Sequence, residues 1–156
     1  MNKPIAVALI VLGTGVGAAL WPHQVFAADA NAGVVKRVSA PATLERATAT
    51  RALAVGQAVQ VGDIIRTGQG GGASITLADD TLLSAGPESE LVITQFAFDP
   101  TSQEGGMLLS LWRGVLSVVT GVIARVTPEK VNVQTRTVVL GVRGTEFIVD
   151  AGKGAP

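Results

Sequence analysis

From about residue 33 onward the chain alternates apolar and polar positions in short runs, broken by turn-forming residues every eight to twelve positions. Ala73-Ser74-Ile75-Thr76-Leu77 puts Ile75 and Leu77 on one face and Ser74 and Thr76 on the other. Val131 and Val133 alternate with Asn132 and Gln134, and Phe147 and Val149 with Glu146, Ile148 and Asp150. A period of two belongs to a strand with one buried face. Many short strands with frequent turns predict an all-β fold, in a solenoid-like or curled sandwich arrangement. No fixed-length repeat of the leucine-rich or propeller kind accompanies it.

The turns have recognisable chemistry. Gly62-Asp63, Asp79-Asp80, Gly86-Pro87, Asp99-Pro100 and Gly105-Gly106 each supply residues that tolerate or fix unusual backbone angles. Asp79-Asp80 reads as a tight hairpin, with aspartate accepting the left-handed region at some cost. Gln69 to Gly72 and Thr101 to Glu104 are expected to be flexible surface connections. Leu108, Leu111, Trp112, Val115, Val118, Val119 and Val122 could line a helix. Gly114, Gly121 and the valine density argue instead for strands at 107–112 and 115–120, turning at Arg113-Gly114.

The N-terminus follows different rules. Lys3 precedes an uncharged, mostly apolar run of 16 residues from Ile5 to Leu20, and Val25-Phe26-Ala27 offers small residues where a signal peptidase cuts. The expected layout is a helical signal peptide at 1–27, a short linker at 28–32, a β domain at 33–150 and a flexible tail at 151–156. A spanning helix needs roughly 20 apolar residues, so membrane association is expected only if this segment stays uncleaved. The expected location is the periplasm of a Gram-negative envelope.

Composition narrows the chemistry. Setting Lys3 aside, 11 basic residues stand against 12 acidic ones, a net of −1. Such a balance offers no electrostatic footprint for nucleic acid. Cysteine is absent and the one histidine, His23, falls in the segment expected to be removed. Neither a Ser-His-Asp triad, a Cys-His pair nor a thiolate or His-ligated metal site can then be assembled. No catalytic residue, cofactor site or metal site is predicted.

Five segments together resemble a known family. Val61-Gly62-Asp63-Ile64-Ile65-Arg66-Thr67-Gly68, Ala78-Asp79-Asp80-Thr81-Leu82 and Gly86-Pro87-Glu88-Ser89-Glu90-Leu91 are similar to the core of FecR-type domains. Leu111-Trp112-Arg113-Gly114 with Thr120-Gly121 fits the same pattern. Gly141-Val142-Arg143-Gly144-Thr145-Glu146-Phe147 resembles the signature near the end of the domain. The resemblance runs from about Gly33 to Val149. It implies a β-rich periplasmic domain of strands wound like a solenoid. In the best-known members that domain belongs to a transmembrane regulator, receiving a signal from an outer-membrane transporter and passing it to an anti-sigma segment. Here the apolar run begins at Pro4-Ile5 and nothing follows Pro156, so only the exported recognition domain is expected to carry over.

The candidate residues each have a structural and a functional reading. Gly141 and Gly144 suit a tight turn or bulge. Arg143 either anchors a partner's carboxylate or pairs within the domain with Glu146 or another acid, the reading preferred here. Asp79 reads as a turn residue, Glu88 and Glu90 as solvated, and Asp63 with Arg66 as a local pair across a turn. Gly62, Gly68, Gly86, Gly114, Thr145 and Phe147 complete the signature set as turn and packing residues. Phe96 and Phe98 share a face that is core or patch, with core the preferred reading. The expected function is a non-catalytic binding module recognising an envelope protein or polymer. The alternatives are a small carboxylate-dependent hydrolase, since two acids suffice for glycoside cleavage, and an assembly protein that recruits partners at a sheet edge.

Overall fold

The structure is a computed structural model describing residues 31–153. Two sheets face each other across one core. The first contains β1 (Asn31–Ser39), β4 (Ala58–Gln60), β6 (Gly72–Leu77), β7 (Leu82–Ala85), β10 (Val115–Val119) and β13 (Glu146–Asp150). The second contains β2 (Ala42–Arg46), β3 (Ala49–Ala52), β5 (Ile64–Thr67), β8 (Glu90–Phe98), β9 (Gly105–Arg113), β11 (Val131–Gln134) and β12 (Val139–Gly141). A single helical turn, α1 (Val122–Val126), and a 3-10 turn at Pro128–Lys130 link β10 to β11.

The strand order explains why both solenoid and sandwich were legible. Across the first sheet it is β13-β10-β7-β6-β1-β4, and across the second β12-β11-β9-β8-β5-β2-β3. Apart from one exchange at the N-terminal end of each sheet, strands are laid down in chain order as the polypeptide passes back and forth between sheets. All pairings are antiparallel except β9 with β11. The fold is thus a sandwich built by progressive winding.

Alternation fixes which side chains meet. Ile75, Leu83, Leu116 and Val118 of the first sheet and Leu44, Ile65, Leu91, Ile93, Leu109 and Leu111 of the second are fully buried in the shared core. Burying each such side chain contributes roughly 1.5–3 kcal/mol, which holds the register because a one-residue slip would expose the whole set. The strands expected at 107–112 and 115–120 are β9 and β10, and Gly114 turns between them with φ +82°. The valines of 122–126 nevertheless form a helical turn, because their backbone is anchored at Asp79 rather than in a sheet.

Several boundaries move. The signal peptide falls outside the described residues. Asn31 and Ala32 belong to β1, not to a linker, and Ala32 is fully buried. At the other end Ala151 packs on the core, and it and Gly152 exchange backbone hydrogen bonds of 2.9 and 2.8 Å with Gly114. The free tail therefore cannot start at 151. The loop after Gly68 is packed against Pro41 with Gly71 buried, so it is not a loose connection. Gly105 and Gly106 open β9 instead of forming a turn, and the real turn is Asp99 to Glu104.

Candidate functional site

Most of the signature residues build the fold. Gly62 takes φ +90° in the turn before β5, where a β-carbon would meet open space but a strained backbone. The neighbouring Asp63 is buried and accepts two bonds from the Arg46 guanidinium, at 2.7 and 2.6 Å, and one from the Gln60 backbone N–H at 2.8 Å. Its partner is Arg46, not Arg66. Arg66 points from the outer face of the second sheet and pairs with Glu45 and with Glu90, directly opposite it on β8. Glu90 is accordingly half-buried and engaged, while Glu88 is exposed. The hydrogen bond to Asp63 holds the Arg46 pKa above its ordinary value against the effect of burial, and Glu90 followed by Glu45 does the same for Arg66.

Asp79 is more than a turn residue. It is fully buried, and its carboxylate accepts from the Thr81 backbone N–H at 3.1 Å, the Thr81 hydroxyl at 2.8 Å and the Ile123 N–H at 3.4 Å. Its carbonyl accepts from the Val122 N–H at 2.8 Å. Gly121, whose N–H donates to the Thr81 hydroxyl at 2.9 Å, lies so close that any β-carbon would strike the Asp79 carbonyl. Asp80, beside it, carries the left-handed backbone at φ +67°. The loop thus docks the start of α1 through the Asp79 carboxylate, the Asp79 carbonyl and the Thr81 hydroxyl.

Gly68, Gly86 and Gly114 make close approaches or turns along the other seam. A β-carbon at Gly68 would lie 2.6 Å from the Pro41 ring, and one at Gly114 would overlap Ser89. The Gly86 carbonyl accepts from the buried Thr67 hydroxyl at 2.6 Å, and Ser89 donates its backbone N–H to the same hydroxyl at 2.9 Å. Thr67, Ser89, Thr81 and Arg46 were not distinguishable in the sequence as partners. A hydroxyl in a strand shows no sign there of which distant backbone it will satisfy.

The last signature segment is different, because it leaves side chains free. Residues 142–145 carry the chain from β12 across the C-terminal end of the sandwich to β13. Thr120, buried, donates its hydroxyl to the Gly144 carbonyl at 2.9 Å and its backbone N–H to the Thr145 carbonyl at 2.9 Å. Gly144 has φ +153° and Phe147 packs against the core. Gly141 lies within β12 in regular register with Asn132, so the tight turn or bulge expected there is absent. Arg143 and Glu146 are both exposed, and among the described residues neither makes an ion pair, which removes the internal pairing expected for Arg143. Phe96 and Phe98 are half-buried and pack on the core, as preferred.

Around this segment apolar surface is concentrated. Val138, Val139 and Leu140 are exposed at 48, 59 and 39%, and Ile148 at 68%. Three consecutive exposed apolar residues, one leading into an edge strand and two on it, are what natural sheets usually avoid. Between β12 and β13 lies a groove of about 410 Å³ lined by Trp112, Arg136, Val138, Leu140, Ile148 and Lys153 among others. Among the described residues β12 pairs only with β11. Thr135 bonds to Val138 and Val142 to Val131, and antiparallel alternation then turns the N–H and C=O groups of Val139 and Gly141 away from β11, toward the open edge.

A family model described as FecR protein matches residues 63–155. The chain belongs to the FecR family. The match begins at Asp63, so β1 to β4 precede it, and it includes the open C-terminal end. No curated protein and no solved structure matches the chain. FecR domains form a non-enzymatic regulatory family and are typically periplasmic. Among the described residues no group of three or more acids or histidines is placed to hold a metal, and no helix is long and apolar enough to cross a membrane.

Proposed function

We propose that this FecR domain is a non-catalytic periplasmic binding module in envelope signalling that captures an extended segment of another envelope protein as an added strand along β12. One observation carries the reading: β12 presents outward backbone donors and acceptors at Val139 and Gly141 together with the exposed apolar side chains of Val139 and Leu140, with Val138 just before them. Main-chain bonds of that kind supply affinity, and the alternate side-chain positions supply selectivity. The acids favour this over hydrolysis. The two buried ones, Asp63 and Asp79, spend their oxygens on hydrogen bonds that hold the fold.

The test uses a photo-crosslinking residue at Leu140 and, as a control at the opposite end, at Arg51 of β3. A discrete adduct with one envelope protein is expected from position 140 only. Val139→Pro removes the outward N–H without touching the ladder to β11, as prolines at sheet edges do, and should abolish the adduct while thermal stability holds. An adduct that persists in Val139→Pro would refute docking along this edge.

A further inference from the structure

The outer face of the first sheet has a charge pattern of its own. Cross-strand register sets Ser74, Ser84 and Ser117 side by side between Arg37 on β1 and Ile148 on β13. Thr76, Leu82 and Val119 form a second row between Val34 and Glu146, and Val115 lies opposite Asp150. Val34, Leu82, Val115, Val119 and Ile148 account for half of the ten exposed large apolar residues of the described chain, and all five lie on this face. On β6, β7 and β10 the face carries no charged side chain. On the strands of this face charge is confined to the flanks: Lys36 and Arg37, exposed on β1, which only β4 separates from the edge, and Glu146 and Asp150, exposed on the edge strand β13, while Asp80 stands exposed in the β6–β7 turn.

We infer that two copies of this chain pack through this face, sheet on sheet, about a two-fold axis parallel to the strands. Rotation about that axis carries β13 of one copy over β1 of the other. Each acidic margin then meets a basic margin, and the contact is made twice. A two-fold axis running across the strands would instead set acid on acid and base on base. The charge pattern therefore selects both the occupant and its orientation, as an isologous interface requires. Small hydroxyl and β-branched side chains between the margins give the low relief that sheets packed about 10 Å apart need.

The size of the face sets the strength. The five strands from β13 to β1, about 4.8 Å apart and presenting about 20 Å of their length, offer about 500 Å² per copy, below the roughly 800 Å² of a standard interface. The dimer is accordingly weak and concentration-dependent, and it weakens with salt because its margins are exposed ion pairs. It leaves β12, an edge of the other sheet, open in both copies. The inference is independent of strand capture, and Val139→Pro should not alter it.

Sedimentation velocity of the full chain across a concentration series should show a monomer–dimer equilibrium with Kd on the order of 10 µM. Ser117→Glu, which puts a charge in the middle of the face, should raise Kd by at least about tenfold, as a desolvated unpaired charge does. Lys36→Glu and Glu146→Lys should each weaken the dimer, and mixing the two variants should restore a heterodimer to within about threefold of the original, since both contacts are then opposite in sign. These marginal positions are exposed, so the mixing experiment stands even if Ser117→Glu fails to fold. A chain that stays monomeric throughout the series, a dimer indifferent to Ser117→Glu, or a mixture that does not recover overturns the inference.

Discussion

Replacing Asp79 by alanine tests the buried carboxylate that joins the β6–β7 loop to α1. The change removes the acceptor of the Thr81 N–H and hydroxyl and of the Ile123 N–H. Thr81 is fully buried, as is Ile123, so their N–H groups find no ready substitute. An orphaned buried donor costs about 1–3 kcal/mol. With the 3.4 Å bond to Ile123 counted as weak, the expected loss is about 3 kcal/mol, a large share of the 5–15 kcal/mol typical of a domain. The melting temperature should fall by about 10 °C. Asp79→Asn keeps one carbonyl oxygen for the Thr81 N–H and should lose about half as much. Thr81→Val orphans the Gly121 N–H, and combining it with Asp79→Ala should cost less than the sum, because the two share one network. Urea denaturation measures each term. An Asp79→Ala protein within 0.5 kcal/mol of the parent, a margin normal for surface sites, would refute the assignment of Asp79 to the core network.

Other expectations follow from neighbouring features. Arg46→Ala strands the buried Asp63 carboxylate and should cost about 3–5 kcal/mol, whereas Arg66→Ala, in a more exposed cluster, should cost about 1 kcal/mol or less by the same denaturation assay. Gly144→Val should destabilise by about 1–3 kcal/mol because φ +153° is closed to a β-branched residue, while Arg143→Ala should stay within about 0.5 kcal/mol. The Thr101 N–H donates to Asp99 at 2.8 Å and holds its pKa below the ordinary value. The bond's contribution is therefore present above the unfolded-state pKa and fades as pH falls through the folded one. Thr101→Pro, which deletes that N–H, should shift the Asp99 titration upward in an NMR pH series.

What could be read from the sequence was whatever depends on neighbours along the chain. Alternation in 73–77 and 131–134 named the buried faces correctly, and the positive φ of Gly62, Asp80, Gly114 and Gly144 matched residues suited to it. Pairings across distance were not legible. Asp63 lies three residues from Arg66, but their side chains diverge: Asp63 turns inward below the turn to meet Arg46, 17 residues away, while Arg66 points outward from β5. Asp79 looked like turn chemistry because α1, which buries it, is more than 40 residues on. The candidate site was only half visible. Its signature was apparent, but nothing local to Val138-Val139-Leu140 marks it as exposed. Exposure there comes from ending a sheet, which no local pattern records.

The serial laying-down of strands also governs how the domain yields to load. Four antiparallel steps separate β13 from β1, so the two strands run in the same direction and the described chain enters the first sheet at one end and leaves it at the other. Tension between those ends has a component along the strands, which loads the bonds between β13 and β10 together rather than one at a time. The terminal strand is therefore held in shear, and the signature segment before it stays seated until those bonds give way as a set.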